Sequence, residues 1–93
     1  MKVCWAETAE RHLDGIYAFI AQDSPTYALN IVDKLTKRSE QIADFPMSGR
    51  CVPEYGLERV REVFEGSYRI IYNIKPKQID IIAVIHEAKE IHR

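Results

Sequence analysis

Ninety-three residues with 13 Lys and Arg, 14 Asp and Glu, 46% hydrophobic content, four glycines and four prolines read as one soluble domain, 1–93, with no room for a second. A chain of this length buries roughly 60–65% of its unfolded surface, which excludes large multi-layer enzyme folds and requires nearly every element to feed one core. The net charge of −1 argues against a dedicated nucleic-acid binder, which carries a basic excess to exchange for counterions.

The chain opens with Lys2-Val3-Cys4-Trp5, β-branched and aromatic, which predicts a short strand. The period then changes: Ala9, Leu13, Ile16, Tyr17 and Ile20 fall on one helical face, predicting an amphipathic helix from about Glu7 to Gln22. Gly15 inside it costs roughly 1 kcal/mol relative to Ala, so a close approach near Ala28 or Ile31 of the next helix is expected. Ser24 and Pro25 form an N-cap and first-turn pair that starts a second helix. Its inward stripe is Ala28, Ile31, Leu35, Ser39, Ile42 and Ala43, and Pro46 stops it near Asp44. So short a connection makes the two helices an antiparallel hairpin. From Phe45 to Glu58, two Pro and two Gly mark an irregular loop. Three strands follow at about Arg59–Phe64, Tyr68–Ile74 and Gln78–Ile85, joined by turns of hairpin length. The expected class is α+β: an N-terminal strand, an antiparallel helix hairpin, then a three-stranded antiparallel meander with both helices on one face of the sheet.

Period-two alternation assigns the faces. Val60, Phe64, Tyr68, Ile70, Tyr72, Ile74, Ile79, Ile81, Ala83 and Ile85 are expected beneath the helices. Arg61, Val63, Arg69, Ile71, Asn73, Ile82, Val84 and His86 take the opposite face. A three-residue first turn pairs Phe64 with Tyr68, and a four-residue second turn pairs Ile74 with Ile79. In these registers Arg69 lies opposite Val63 and Val84, with Arg61 and His86 as its diagonal neighbours, so three cation-capable side chains share one patch. The apolar residues of that face, Val63, Ile71, Ile82 and Val84, would form an exposed patch unless a protein partner covers them.

Arginine is concentrated late in the chain: residues 1–46 carry five basic and seven acidic side chains, residues 47–93 eight and seven. Arg61, Arg69 and His86, with Glu54 in the preceding loop, could supply a general base, a general acid and phosphate-binding guanidinium groups. Metal-free RNA cleavage needs these to activate the 2′-OH, neutralise the phosphorane and protonate the leaving oxygen. The plainer alternative is a wet sheet face whose Arg and His make surface ion pairs with Glu58, Glu62 and Glu65. Cys4 and Cys51 read as reduced structural thiols. His12 on the polar side of the first helix and His92 near the C-terminus have no partners at ligand spacing, so neither a metal nor a cofactor is expected. No secretory leader and no membrane span are expected either.

The order of elements, together with Ala9-x-x-x-Leu13-x-x-Ile16, Ser24-Pro25-x-x-Ala28, Phe45-Pro46-x-x-Gly49-Arg50-x-Val52-Pro53-Glu54, Val60-Arg61-Glu62, Tyr68-Arg69-Ile70-Ile71-Tyr72 and Val84-Ile85-His86, resembles the RelE/ParE superfamily of toxins of bacterial type II toxin–antitoxin modules. The similarity covers essentially the whole chain. It implies a cytoplasmic prokaryotic toxin of a plasmid-stabilisation type of module, neutralised by a cognate antitoxin that contacts operator DNA on its behalf, with no cofactor. RelE-like members cut messenger RNA on the translating ribosome, and ParE-like members inhibit DNA gyrase. Gly49-Arg50-x-x-Pro53-Glu54 before an Arg-Glu strand is similar to the ParE branch. Glu54, Arg61, Arg69 and His86 lie where some ribosome-dependent members keep a catalytic Glu, Arg and His. The tail from Glu87 to Arg93 has no tyrosine to match the C-terminal catalytic Tyr of RelE-like nucleases, and their lysine-rich surface is missing. The gyrase-directed reading is therefore favoured. A ribosome-dependent mRNA endoribonuclease and a non-toxic relic that only binds its partner are the alternatives.

Overall fold

The computed structural model describes residues 1–88; His92 lies outside the described residues. Its elements are β1 (Lys2–Trp5), α1 (Glu7–Ala21), α2 (Pro25–Asp44), a 3-10 turn (Pro46–Ser48), β2 (Arg50–Cys51), β3 (Val60–Glu65), β4 (Tyr68–Ile74) and β5 (Gln78–His86). Ser24 caps α2 by accepting the Tyr27 amide at 3.1 Å, with Pro25 at the first helical position. α1 lacks a side-chain cap, but Glu7 and Glu10 sit in its first turn, where the helix dipole favours negative charge.

The expected meander is part of a larger mixed sheet of five strands in the order β1-β5-β4-β3-β2. β1 pairs with β5 in parallel, Lys2 with Gln78 through Trp5 with Ile81. β2, two residues long inside the segment expected to be irregular, pairs antiparallel with β3 at the other edge. The helices pack on one face, Ala9, Leu35 and Ile42 against Val63, Ile70, Tyr72, Ile79, Ile81 and Val84 of the sheet. Val52, Val60 and Ile71 form a smaller cluster with Tyr55, Ile82, Ala83 and Ile85. This second cluster lies on the far face, beneath the segment that follows β2.

The expected register holds for the second hairpin, where Ile74 pairs with Ile79. It fails for the first. The turn there holds two residues, Gly66 and Ser67, with Gly66 at φ +58°, so Glu65 pairs with Tyr68 and Phe64 with Arg69. A one-residue slip moves every side chain of a strand to the other face. Val63 accordingly packs beneath the helices, whereas Val60 and Phe64 lie on the far face. A second correction falls in β5, where the ladder passes from Ile71–Ala83 to Tyr72–Ile81 and Ile82 is the extra residue of a bulge. Beyond it the phase inverts: Val84 enters the helix-side core while Ala83 and Ile85 face the opposite way.

Gly15 is also corrected, since a β-carbon built there meets nothing within 4 Å. The close approach occurs at Gly49, where a β-carbon would run into the Tyr72 hydroxyl and come within 2.6 Å of the Glu62 carbonyl oxygen.

Candidate functional site: a carboxylate clamp on Arg69

Arg69 occupies the middle of the sheet, in β4 and facing away from the helices. It is 6% exposed, and Glu62 beside it on β3 is 1% exposed. Charged groups this deep persist only when paired. Arg69 Nε donates to Glu62 Oε1 at 2.6 Å, while Nη1 and Nη2 donate to the two oxygens of Glu54, each at 3.2 Å. Nη2 also lies 2.5 Å from Glu62 Oε1. The other Glu62 oxygen accepts from Arg50 Nε at 2.5 Å, and the Arg50 guanidinium lies 5.3 Å from the centre of the Phe64 ring. Two arginines and two glutamates thus form one charge-balanced cluster spanning β2, β3, β4 and the segment after β2.

The electrostatics follow from these contacts. The Arg69 hydrogen bonds, helped by one from the residue's own backbone amide, hold the Glu54 carboxyl below its ordinary value of 4.5. The Arg69 guanidinium is pushed further up, chiefly by Glu54 against the opposing effect of burial, and stays charged at any working pH. Behind the cluster, burial pushes the Tyr72 phenol up. Its hydroxyl donates to the Pro46 carbonyl at 2.6 Å and accepts the Gly49 amide at 3.0 Å. That pair of hydrogen bonds requires the close approach of Gly49 and explains why no side chain fits there.

Of the four residues singled out for chemistry, the structure brings Glu54 and Arg69 together and leaves the other two elsewhere. Arg61 pairs across the ladder with Tyr72 and shares its helix-side face. Its Nη1 donates to the Gly49 carbonyl at 2.8 Å and its Nε to the Glu58 carbonyl at 3.1 Å. His86, at the far end of β5, is opposite Tyr68, edge-on to its ring at 5.8 Å, and its Nδ1 accepts the Ala88 amide at 3.2 Å. The shared patch expected of Arg61, Arg69 and His86 therefore does not form: the β3 slip removes Arg61 from it and the β5 bulge removes His86.

The expected exposed patch is corrected for the same reasons. Val63 and Val84 are buried under the helices, Ile71 is fully buried, and only Ile82 keeps partial exposure. The sequence offers Glu62 only as a surface ion-pair partner and Arg50 only within the Gly49-Arg50 motif; the structure buries Glu62 between Arg69 and Arg50. The available signal is the adjacent pair Arg61-Glu62 between Val60 and Val63, which period two splits between the two faces. Among the described residues no three His, Cys, Asp or Glu side chains are grouped as a metal site requires.

Residues 3–91 match the family described as ParE toxin of type II toxin-antitoxin system, parDE. The chain is 30% identical over 87 residues to the protein named "Putative toxin Y4kP" of Sinorhizobium fredii (strain NBRC 101917 / NGR234), an alignment covering 91% of this chain and 86% of the relative. In fold it is similar to a chain of the solved structure titled "Chromosomal ParDE TA system from P. aeruginosa". That superposition has a TM-score of 0.75 at 21% identity and covers 92% of this chain and 95% of the other.

Proposed function

The chain belongs to the ParE toxin family and is the toxin component of a type II toxin–antitoxin system, and on that premise we propose that it acts by binding, as an inhibitor of DNA gyrase held in check by a cognate antitoxin. The observation that carries this reading is the engagement of Arg69 by two carboxylates. A metal-free nuclease needs a guanidinium turned toward the phosphorane, with an acid and a base at hand. Here Nε, Nη1 and Nη2 of Arg69 are already on two carboxylates, and a phosphate entering the clamp would meet two negative charges first. Arg61 is engaged with main-chain carbonyls, and His86 stands at another place on the sheet. Such an arrangement leaves neither Arg61 nor Arg69 turned toward a phosphorane. The proposed setting is the cytoplasm, where gyrase is found, with operator DNA reached only through the antitoxin.

The test uses the purified chain on gyrase-catalysed supercoiling and, separately, on messenger RNA bound to translating ribosomes. Supercoiling should be inhibited and the message left intact. His86→Gln, which keeps size and hydrogen bonding but cannot titrate near neutral pH, should inhibit equally. Cleavage of ribosome-bound message that His86→Gln abolishes would put the endoribonuclease in place of the inhibitor. Inactivity in both assays would leave the non-toxic relic.

A further inference from the structure

We propose that residues 52–57 form a strap that opens as a unit from the far face of the sheet, latched shut by the Glu54–Arg69 ion pair. The inference is independent of which target the toxin has.

Both ends of the strap are fixed. At the start, β2 is paired with β3, Arg50 Nε is held by Glu62, and the Gly49 amide and carbonyl are held by Tyr72 Oη and Arg61 Nη1. At the end, Gly56 takes φ +64° and the Val60 amide donates to the Leu57 carbonyl at 3.2 Å. Between them the backbone bonds are local, with the Tyr55 and Gly56 amides both donating to the Val52 carbonyl at 3.1 and 3.2 Å. None of these bonds ties the strap to the sheet, and a turn this short loses them once it lifts into water. What ties it down is the bond from the Val52 amide to the Val60 carbonyl, the apolar contact of Val52 and Tyr55 with Val60 and Ile71, and the bidentate grip of Glu54 on Arg69.

The latch is built to release. The Glu54 side chain is 30% exposed, so water reaches its carboxylate as it leaves. Arg69 is not stranded, because Glu62 still holds Nε at 2.6 Å. Breaking a buried ion pair is costly mainly when one charge is left uncompensated, and here neither is. Opening therefore costs a few contacts rather than a buried charge, which places it among sub-global openings well below complete unfolding. It would bare Val60 and Ile71 and make them continuous with Ile82, Ala83 and Ile85, a second apolar face that the closed strap hides.

The experiment is native-state amide exchange on the full chain. The Val52, Tyr55 and Gly56 amides should exchange by a local opening, faster than those of Ile70 and Ile81. Glu54→Gln keeps an oxygen acceptor and should fold, and it should speed the strap amides about tenfold, as expected for losing a charge-assisted bond at a partly exposed carboxylate. Ile70 and Ile81 should remain slower than the strap amides in this variant, speeding at most by the loss in global stability. Raising ionic strength should speed the same three amides in the unaltered chain, and Glu58→Gln, which alters a neighbouring exposed carboxylate, should leave them as they were. The proposal is overturned if strap and core amides exchange at one common rate, if Glu54→Gln leaves the strap amides unchanged, or if salt leaves the strap amides unchanged.

Discussion

At the scale of single residues, the decisive fact is that Arg69 is charged, buried and enclosed by carboxylates at 2.6 and 3.2 Å. Removing it by Arg69→Met leaves Glu62, fully buried in its side chain, with Arg50 alone, and should cost about 3–5 kcal/mol in urea denaturation. Arg69→Lys should recover only part of this, since an ammonium cannot grip two carboxylates from a planar fork. Glu54 sets a pH dependence whose sign follows from its lowered pKa. Its stabilising contribution is fully present above the ordinary carboxyl value of 4.5 and is lost as pH falls through the lower, folded-state value. Stability should thus rise with pH across that acidic interval, and more steeply in the unaltered chain than in Glu54→Gln. Equal slopes would mean that the pair forms no part of the folded state in solution.

Two glycines separate the roles of the elements that contain them. Gly15 in α1 faces open space, so Gly15→Ala should stabilise the chain by up to about 1 kcal/mol through helix propensity alone. Gly49, between the 3-10 turn and β2, is pressed against Tyr72 and the Glu62 backbone. Gly49→Ala must displace one of these and should destabilise by about 1–3 kcal/mol, with thermal denaturation distinguishing the two signs. The same contact joins three elements through one hydroxyl. Tyr72→Phe would leave the Gly49 amide and the Pro46 carbonyl without a partner, at about 1–3 kcal/mol. β2 owes its existence to these fixings, because two residues of edge strand carry little propensity of their own.

Over the whole molecule, two apolar faces of one sheet are covered by different means: one by the helix hairpin, the other by the strap. None of the helices among the described residues is long and apolar enough to cross a membrane. Large apolar side chains nevertheless remain outside, among them Phe19 at 74%, Phe45 at 68% and Leu29 at 59% exposure. A toxin of this family acts within a module that includes an antitoxin, and a partner that binds only the folded state stabilises it by mass action. The melting temperature of the chain should rise when the antitoxin encoded beside it is added, and rise further with its concentration. A complex that forms with no change in melting temperature would show that the antitoxin also holds the unfolded chain.

Much of the architecture is determined locally and could be read from the sequence. The two helices follow from apolar spacing and the Ser24-Pro25 start, the β4 faces from Tyr68, Ile70, Tyr72 and Ile74, and the second hairpin register from its turn length. The phase of β3 and of the second half of β5 could not be read, because both faces of this sheet are apolar. Val60 and Val63, or Ile82 and Val84, satisfy either face equally, so period two does not choose between registers that differ by one residue. Only the tertiary structure decided them, through a two-residue turn at Gly66-Ser67 and a bulge at Ile82. The site depended on that decision. Arg69 meets Glu62 seven positions away and Glu54 fifteen positions away, and no local spacing marks carboxylates so placed as its partners. What the sequence shows as an arginine available for chemistry, the fold makes an arginine already spoken for, because burial leaves a charge no stable option but to be paired.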